Sequence, residues 1–357
     1  KFRTRRVLEN MNKKYDYGIV IGRFQPFHLA HQTLIQQAIS LCEKVVVILG
    51  SARSASDVKN PFTPAMREEM IRACFPVENK RLIFCAVRDY PYNDHVWTTE
   101  VQNAINEEIE DEKEPKVVVV GFFKDRSSYY LNLFPQWSFE EFYCKNKENL
   151  KINATEVREK YFADDETWKT QVPTSIAVQL EVFKQSEEFA TLQKEFAYIK
   201  QYKEDTKFVG VPYKPVFITT DAVVVQSGHI LVIRRGHQPG KGLLALPGGF
   251  LQPELTLEDN AIKELKEETN IKVPAQVLRG SIKTSRPFDY PERSARGRTV
   301  TFAYFIELEP SLKDGLPKVK GGDDAAKAFW LPLSALGENE DKFFEDHYSV
   351  IRTFLGF

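Results

Sequence analysis

Cysteine is scarce. Four residues in 357, at positions 42, 74, 85 and 144, show no C-x-x-C spacing, which argues against a zinc ribbon or a disulfide framework. They read as reduced, buried residues of a cytoplasmic protein. A dominant charge is missing too. Lys and Arg number 49 against 50 Asp and Glu, a net charge of −1, so nothing global calls for nucleic acid or membrane lipid. Apolar runs such as Val45 to Leu49 and Val117 to Val120 fall far short of the roughly 20 residues of a bilayer-spanning helix. Lys1 to Lys14 is basic and polar, without the apolar core of a signal peptide. Met11 reads as an internal or alternative start, and the residues before it are assigned no role in the fold. No G-x-x-x-x-G-K-[ST] loop, internal repeat or low-complexity stretch occurs.

What is present is the composition of a globular protein, 42% hydrophobic and 28% charged, at a length that suggests two domains. In the first half, apolar runs at Tyr17 to Ile21, Lys44 to Leu49, Leu82 to Val87 and Lys116 to Val120 predict buried strands. They alternate with helical spacing at His31 to Cys42, Pro64 to Phe75 and Trp97 to Glu110. This alternation predicts an α/β fold with a Rossmann-like, doubly wound parallel sheet, whose ligands bind at the carboxyl ends of the strands. Ser175 to Lys203 reads as helical. The prolines near residues 212 and 215 then mark a linker at 205–215 between domains at 15–204 and 216–357. Beyond it the pattern predicts an α+β domain. A hairpin joins Phe217 to Val225 with Ile230 to Arg235, a strong helix covers Thr256 to Glu268, strands lie near Val277 to Ser281 and Thr299 to Glu307, and a helix ends the chain.

Gly22 to His31 sits where the first strand ends and the first helix begins, at about His31. Free backbone N–H groups and the helix dipole favour phosphate there. His28 and His31 add donors that can neutralise charge building on a triphosphate while an incoming phosphate attacks the α-phosphorus. In the second half, Glu264, Glu267 and Glu268 lie within about one helical turn and can face one locus. Carboxylates so close repel unless a cation neutralises them, and hard oxygen donors select Mg²⁺ or Mn²⁺. The preceding Leu246-Pro247-Gly248-Gly249 loop sets this helix apart from an ordinary solvated acidic face.

The first motif resembles the H-x-G-H signature of the nucleotidyltransferase superfamily, with Ala30 in place of glycine. Ile152 to Arg158 resembles its second signature, I-S-S-T-x-x-R. Asn60-Pro61-Phe62-Thr63, Tyr92-Asn93-Asp94 with Trp97, and Lys124-Asp125 followed by Ser127 to Tyr130 are similar to the nicotinamide mononucleotide adenylyltransferase branch. Phe122 and Phe123 stand where relatives commonly carry a polar or basic pair. The second-half motif resembles the Nudix box, with Leu255, Lys263 and Asn270 as departures from glutamate, arginine and glycine. Phe288 to Arg298 and Phe344 to His347 resemble segments of the ADP-ribose pyrophosphatase subgroup. The whole chain after about Tyr15 resembles the bacterial bifunctional enzymes that join the two.

The resemblance implies catalytic roles for His28 and His31 and, in the second domain, for Glu267 and Glu268. It implies nucleotide contacts from Gly22, Arg23, Phe24, Asn60, Lys124, Thr155 and Arg158, with Trp97 stacked on the nicotinamide ring. In the second domain it implies contacts from Gly248, Gly249, Arg293, Arg296 and Arg298, with metal held by Glu264, Glu267 and Glu268. The expected ligands are ATP, nicotinamide mononucleotide and ADP-ribose, without nucleic acid or membrane; a homo-oligomer is compatible with this reading. The alternative is an active transferase whose Nudix domain only binds ADP-ribose-like ligands or scaffolds a dimer.

Overall fold

A computed structural model describes residues 13–109, 114–122, 126–143, 151–206, 213–311 and 315–357. The chain divides into two compact units between Gln193 and Lys194. The proposed junction at 205–215 includes 207–212, which lie outside the described residues.

The first unit is a five-stranded parallel sheet. Its strands are β1 (Tyr15–Gly22), β2 (Cys42–Leu49), β3 (Leu82–Ala86), β4 (Val117–Gly121) and β5 (Ser138–Glu141), in the order β3-β2-β1-β4-β5. The valine-rich runs of β2 and β4 are almost wholly buried, as strands covered on both faces must be. Helices α1 (Leu29–Leu41), α2 (Pro64–Cys74) and α3 (Asp94–Ile109) make the crossovers. The order reverses beside β1, so the first motif leaves the sheet at its switch point. Helices α4 (Ala154–Phe162), α5 (Thr174–Phe183) and α6 (Glu187–Asp205) follow. Trp168 is fully buried edge-on to Tyr161, whose hydroxyl donates to Leu180 O.

The second unit holds β6 (Phe217–Gln226), β7 (His229–Arg235), β8 (Leu244–Ala245), β9 (Gly248–Phe250), β10 (Ile282–Phe288), β11 (Thr299–Glu307) and β12 (Ala325–Pro332). The order β10-β11-β6-β7-β12 is mixed, with β11 parallel to β6, while β8 and β9 pair with β7 and β6. Ser227 and Gly228 both take positive φ (47° and 72°) in the β6–β7 turn, the geometry that suits a two-residue hairpin. Helix α7 (Leu257–Thr269) buries Ala261, Ile262 and Leu265 against Ala222, Val224 and Leu231. Thr256 caps its start, accepting from Asp259 N, and Asn270 ends it in the left-handed conformation. Helices α8 (Ala275–Gly280) and α9 (His347–Leu355) complete the unit.

Two expectations need correction. Val277 to Ser281 is not a strand. Pro274 caps a short helix there, with Leu278 buried and Val277 exposed, and the strand begins at Ile282. The first helix starts at Leu29 rather than near His31, which makes His28 its N-cap. Cys42, Cys74 and Cys85 are unpaired; Cys144 lies outside the described residues. Among the described residues, no helix is long and apolar enough to cross a membrane.

Gly18 in β1 lies directly under α1. A β-carbon there would stand 2.6 Å from Cys42 Sγ and 3.6 Å from Ala38 Cβ. Gly18→Val is expected to lower the stability of the first unit by about 1–3 kcal/mol in urea unfolding. An unchanged midpoint would mean that Cys42 turns aside without cost.

Candidate active sites

The first site is assembled by buried side chains that fasten loops. Gln25 holds Phe62 at both backbone groups, donating to Phe62 O at 2.8 Å and accepting from Phe62 N at 3.0 Å. Arg67 in α2 is fully buried, and its Nη1 donates to Arg23 O (2.7 Å) and Gly50 O (2.6 Å), pinning the ends of β1 and β2 together. Burial pushes the Arg67 pKa down to about 10, and Asp89 opposes that shift. Asp89 in turn accepts from Ser51 N and Ser51 Oγ. Arg158 joins the second motif to the first: Nη1 donates to Gln25 O (2.5 Å), Nε to Val58 O (3.0 Å) and Nη2 to Thr155 Oγ1 (3.3 Å). Residues 133 positions apart in sequence thus converge on one strand end.

Within this frame the rings of His28 and His31 stack with centroids 3.6 Å apart, and His31 lies edge-on to Phe24 at 4.8 Å. Desolvation pushes His31 down to about 3, so at neutral pH it is an uncharged donor or acceptor. Phe24 takes a left-handed φ of 53°, and its ring would meet a β-carbon on Gly22 at 2.8 Å, which explains glycine there. Asn60 presents a buried Oδ1 with no hydrogen-bond partner among the described residues. Trp97 is half-buried against Tyr130 and Phe134, so the same ring serves the core. Arg23 and Thr155 are exposed, and Ala30 is half-buried. Phe122 stands edge-on to Phe142. Phe123 and Lys124 lie outside the described residues.

In the second unit, Gly248 N donates to Glu268 Oε2 at 2.9 Å. A β-carbon on Gly249 would come within 2.6 Å of Glu264 Oε2, and one on Gly248 within 2.2 Å of Thr220 O. Gly249 therefore lets the backbone lie against Glu264, and Gly248 lets it lie against β6. Burial raises the Glu268 pKa to about 8, opposed by the Gly248 N–H and reinforced by Glu264. Glu264 is raised for the same first reason. A divalent cation would reverse both shifts, and a buried and a half-buried carboxylate are the hard donors it prefers, so the residues fit such an ion. Glu267 is more exposed and faces Lys263, which also lies 3.8 Å from Glu264. Among the described residues, no three His, Cys, Asp or Glu side chains are gathered as a closed metal centre. Leu255 is half-buried in the turn before α7, where Leu255 N bonds Gln252 O.

Charged partners surround this pair. Arg293 grips Asp346 through two hydrogen bonds (3.0 and 2.8 Å), both side chains buried. Burial disfavours the Arg293 charge, but Asp346 and Asp221 more than compensate and hold its pKa above the usual value. Arg298 donates to Asp289 O, and Arg296 lies over the ring of Phe250. His347 Nδ1 accepts from Leu246 N at 2.9 Å, fixing the loop ahead of Gly248. Of the arginines expected at the substrate, Arg293 is thus engaged inside the protein and Arg296 borders the glycine loop. Sequence reasoning passed over Arg67 and Arg235. Arg67 was detectable as a charge on the buried stripe it shares with Met70 and Ile71.

Residues 217–354 match the NUDIX domain model, and residues 19–160 match the cytidylyltransferase-like model. A nicotinamide/nicotinic acid mononucleotide adenylyltransferase of Acinetobacter baylyi is 39% identical over 186 residues, 51% of this chain and 94% of that one. An ADP-ribose pyrophosphatase of Methanocaldococcus jannaschii is 28% identical over 153 residues, covering 43% of this chain and 80% of that one. A crystal structure of a Francisella tularensis bifunctional NMN adenylyltransferase/ADP ribose pyrophosphatase, complexed with AMP and a manganese ion, aligns with a TM-score of 0.85. Its identity is 31%, over 96% of this chain and 99% of that one. Fold and site together define a nucleotidyltransferase domain followed by a Nudix domain. The chain belongs to the family of bifunctional NMN adenylyltransferase/ADP-ribose pyrophosphatases.

His347 supplies a pH test. Burial holds its pKa at about 3, below the unfolded value of 6.5, and protonation would remove the acceptor of Leu246 N. Its contribution is complete above pH 6.5 and lost as pH falls toward 3, because the unfolded chain then binds the proton first. The second unit should lose about 1.4 kcal/mol of stability per pH unit from this group across that window. His347→Gln should flatten the slope in urea melts; an identical slope in the variant would contradict the assignment.

Proposed function

We propose that the first domain, at 15–204, transfers the adenylyl group of ATP to nicotinamide mononucleotide, releasing pyrophosphate and NAD. The second, at 216–357, hydrolyses ADP-ribose to AMP and ribose 5-phosphate. The observation that carries this reading is that each half keeps its two motifs in contact, Arg158 on Gln25 O in one and Glu268 on Gly248 N in the other. In the transfer, the attacking phosphate of the mononucleotide needs no protein nucleophile, so positioning and charge stabilisation supply the catalysis. His28 and His31 face the β- and γ-phosphates, Gly22, Arg23 and Phe24 shape the strand end, and Thr155 and Arg158 contact ATP. Trp97 stacks on the nicotinamide ring, and Asn60 and Lys124 are further substrate contacts.

In the hydrolase, Glu264, Glu267 and Glu268 are the donors for Mg²⁺ or Mn²⁺, which when bound supplies charge neutralisation and an activated water at phosphorus. Gly248 and Gly249 admit the diphosphate, and Arg296 and Arg298 approach it, while Arg293 sets the wall through Asp346. Lys263 keeps the positive charge of the usual arginine between Glu264 and Glu267 but not its fork, and Leu255 withdraws an outer carboxylate. Both changes favour reduced rather than absent hydrolysis. Unpaired cysteines and small-molecule nucleotide substrates suit a cytoplasmic enzyme.

Glu268→Gln in the full chain is expected to lower ADP-ribose hydrolysis by about 10²- to 10⁴-fold with Mg²⁺ or Mn²⁺. NAD formation from ATP and nicotinamide mononucleotide, assayed on the same sample, should stay unchanged. Absence of hydrolysis in the wild type with intact transfer would replace the hydrolase reading with a domain that binds or scaffolds.

A further inference from the structure

The second unit begins at Lys194 and so takes in most of α6, which the sequence pattern places with the first domain. Glu195, Ile199 and Tyr202, four and three residues apart, share one face of that helix, and Glu195 and Ile199 are buried. A carboxylate out of water is costly without a donor. Glu195 has one in a loop 45 residues further on, where Gly240 N donates to its Oε2 at 3.2 Å.

The other end of that peptide bond is also engaged. Pro239 O, joined to Gly240 N, accepts from Arg235 Nε at 2.9 Å. In a trans peptide the two groups point in opposite directions, so one peptide unit stands between the Glu195 carboxylate and the Arg235 guanidinium, bonded to both. Hydrogen bonds in series polarise one another, and an anion on the N–H makes the carbonyl a stronger acceptor. The turn itself is fixed. Gly240 has a left-handed φ of 68°, and a β-carbon on it would lie 2.3 Å from Phe344 Cδ2.

The side chain that this relay aims stands at the hydrolase site. Arg235 ends β7, with its guanidinium carbon 4.1 Å from the ring centre of Phe344. Burial and Arg296 disfavour its charge, while Glu345, Glu268 and Asp324 support it. Three acids from different parts of the unit draw on one guanidinium, and the bond from Nε to Pro239 O fixes the plane of the fork among them. The same helix reaches Arg296 through rings. Tyr202 meets Phe217 edge-on at 6.3 Å, Phe217 meets Phe250 at 5.9 Å, and Arg296 lies 5.2 Å over Phe250.

We propose that Glu195 is a positioning residue of the hydrolase, orienting the Arg235 guanidinium across the Pro239–Gly240 peptide, so that the working unit starts in α6 and not at β6. The inference rests on the hydrolase reading. An anionic diphosphate entering beside Glu268 then meets a cation already held in one orientation, which lowers the ordering cost of binding.

The test is calorimetric titration of ADP-ribose, without metal, into full-length wild type, Glu195→Ala, Glu195→Gln, Arg235→Ala and the Glu195→Ala/Arg235→Ala double variant. ADP-ribose hydrolysis with Mg²⁺ and NAD formation are assayed on the same samples. Glu195→Ala should weaken ADP-ribose binding by about 3- to 10-fold and raise KM more than it lowers kcat, with NAD formation unchanged. Glu195→Gln keeps an acceptor for Gly240 N and should stay within about twofold of wild type. With Arg235 already replaced, Glu195→Ala should add less than about twofold, because the group it orients is gone. Unchanged affinity in Glu195→Ala would overturn the proposal. So would an equal loss with Arg235 present or absent, or a Gln variant as impaired as Ala, since either pattern marks packing of α6 rather than the relay. Wild-type protein that binds ADP-ribose without cleaving it would remove the hydrolase reading, and the affinities would still decide the relay.

Discussion

A guanidinium taken out of water must find acceptors, and in the first unit it finds them in backbone carbonyls. Arg67 and Arg158 between them hold carbonyls of residues 23, 25, 50 and 58, all at the ends of strands or in the loops that leave them. Those loops carry the histidines and the asparagine that would meet a nucleotide. Removing either arginine would strand several buried acceptors at once, a cost of about 1–3 kcal/mol each. The catalytic geometry is thus a consequence of how buried charge is satisfied, and not of local loop preference.

The second unit solves the same problem with carboxylates. Arg293 and Asp346 satisfy each other, and Glu268 accepts from the Gly248 N–H. What remains at that site carries both signs: carboxylates raised by burial around Gly249, and guanidinium groups around Phe344 that partly offset them. A cation and an anionic phosphate together would balance the two halves. In the first site the paired groups are instead His28 and His31, and burial keeps His31 neutral. On the proposed reading, one site would stabilise charge by aimed donors and the other by a bound cation.

Four strands of the first sheet were legible because each is a continuous apolar run bounded by turn residues, and the helices because their apolar stripes are regular; β5, with the sequence Ser-Phe-Glu-Glu on an exposed edge, gave no such signal. The failures have local causes. β10 carries Lys283, Thr284, Ser285, Arg286 and Pro287 on an exposed edge, where burial imposes no alternation and proline is tolerated. The neighbouring Val277-Leu278 pair, more strand-like in composition, is helical because Pro274 starts a turn there. At the sites, sequence spacing indicated the histidines and the glutamates. It did not show that Glu267 turns to Lys263, that Arg293 is occupied by Asp346, or that Arg235 stands at the same locus. Each of those depends on partners far along the chain, which no local pattern encodes.

Two chemistries on one chain are compatible only if the second spares the product of the first. The direct measurement follows the full-length protein with ATP, nicotinamide mononucleotide and Mg²⁺ by chromatography, with ADP-ribose added in a parallel sample. The account predicts that NAD accumulates in step with pyrophosphate and persists, while ADP-ribose is converted to AMP and ribose 5-phosphate. NAD that forms and then decays to AMP and nicotinamide mononucleotide, at a rate matching ADP-ribose cleavage, would contradict it.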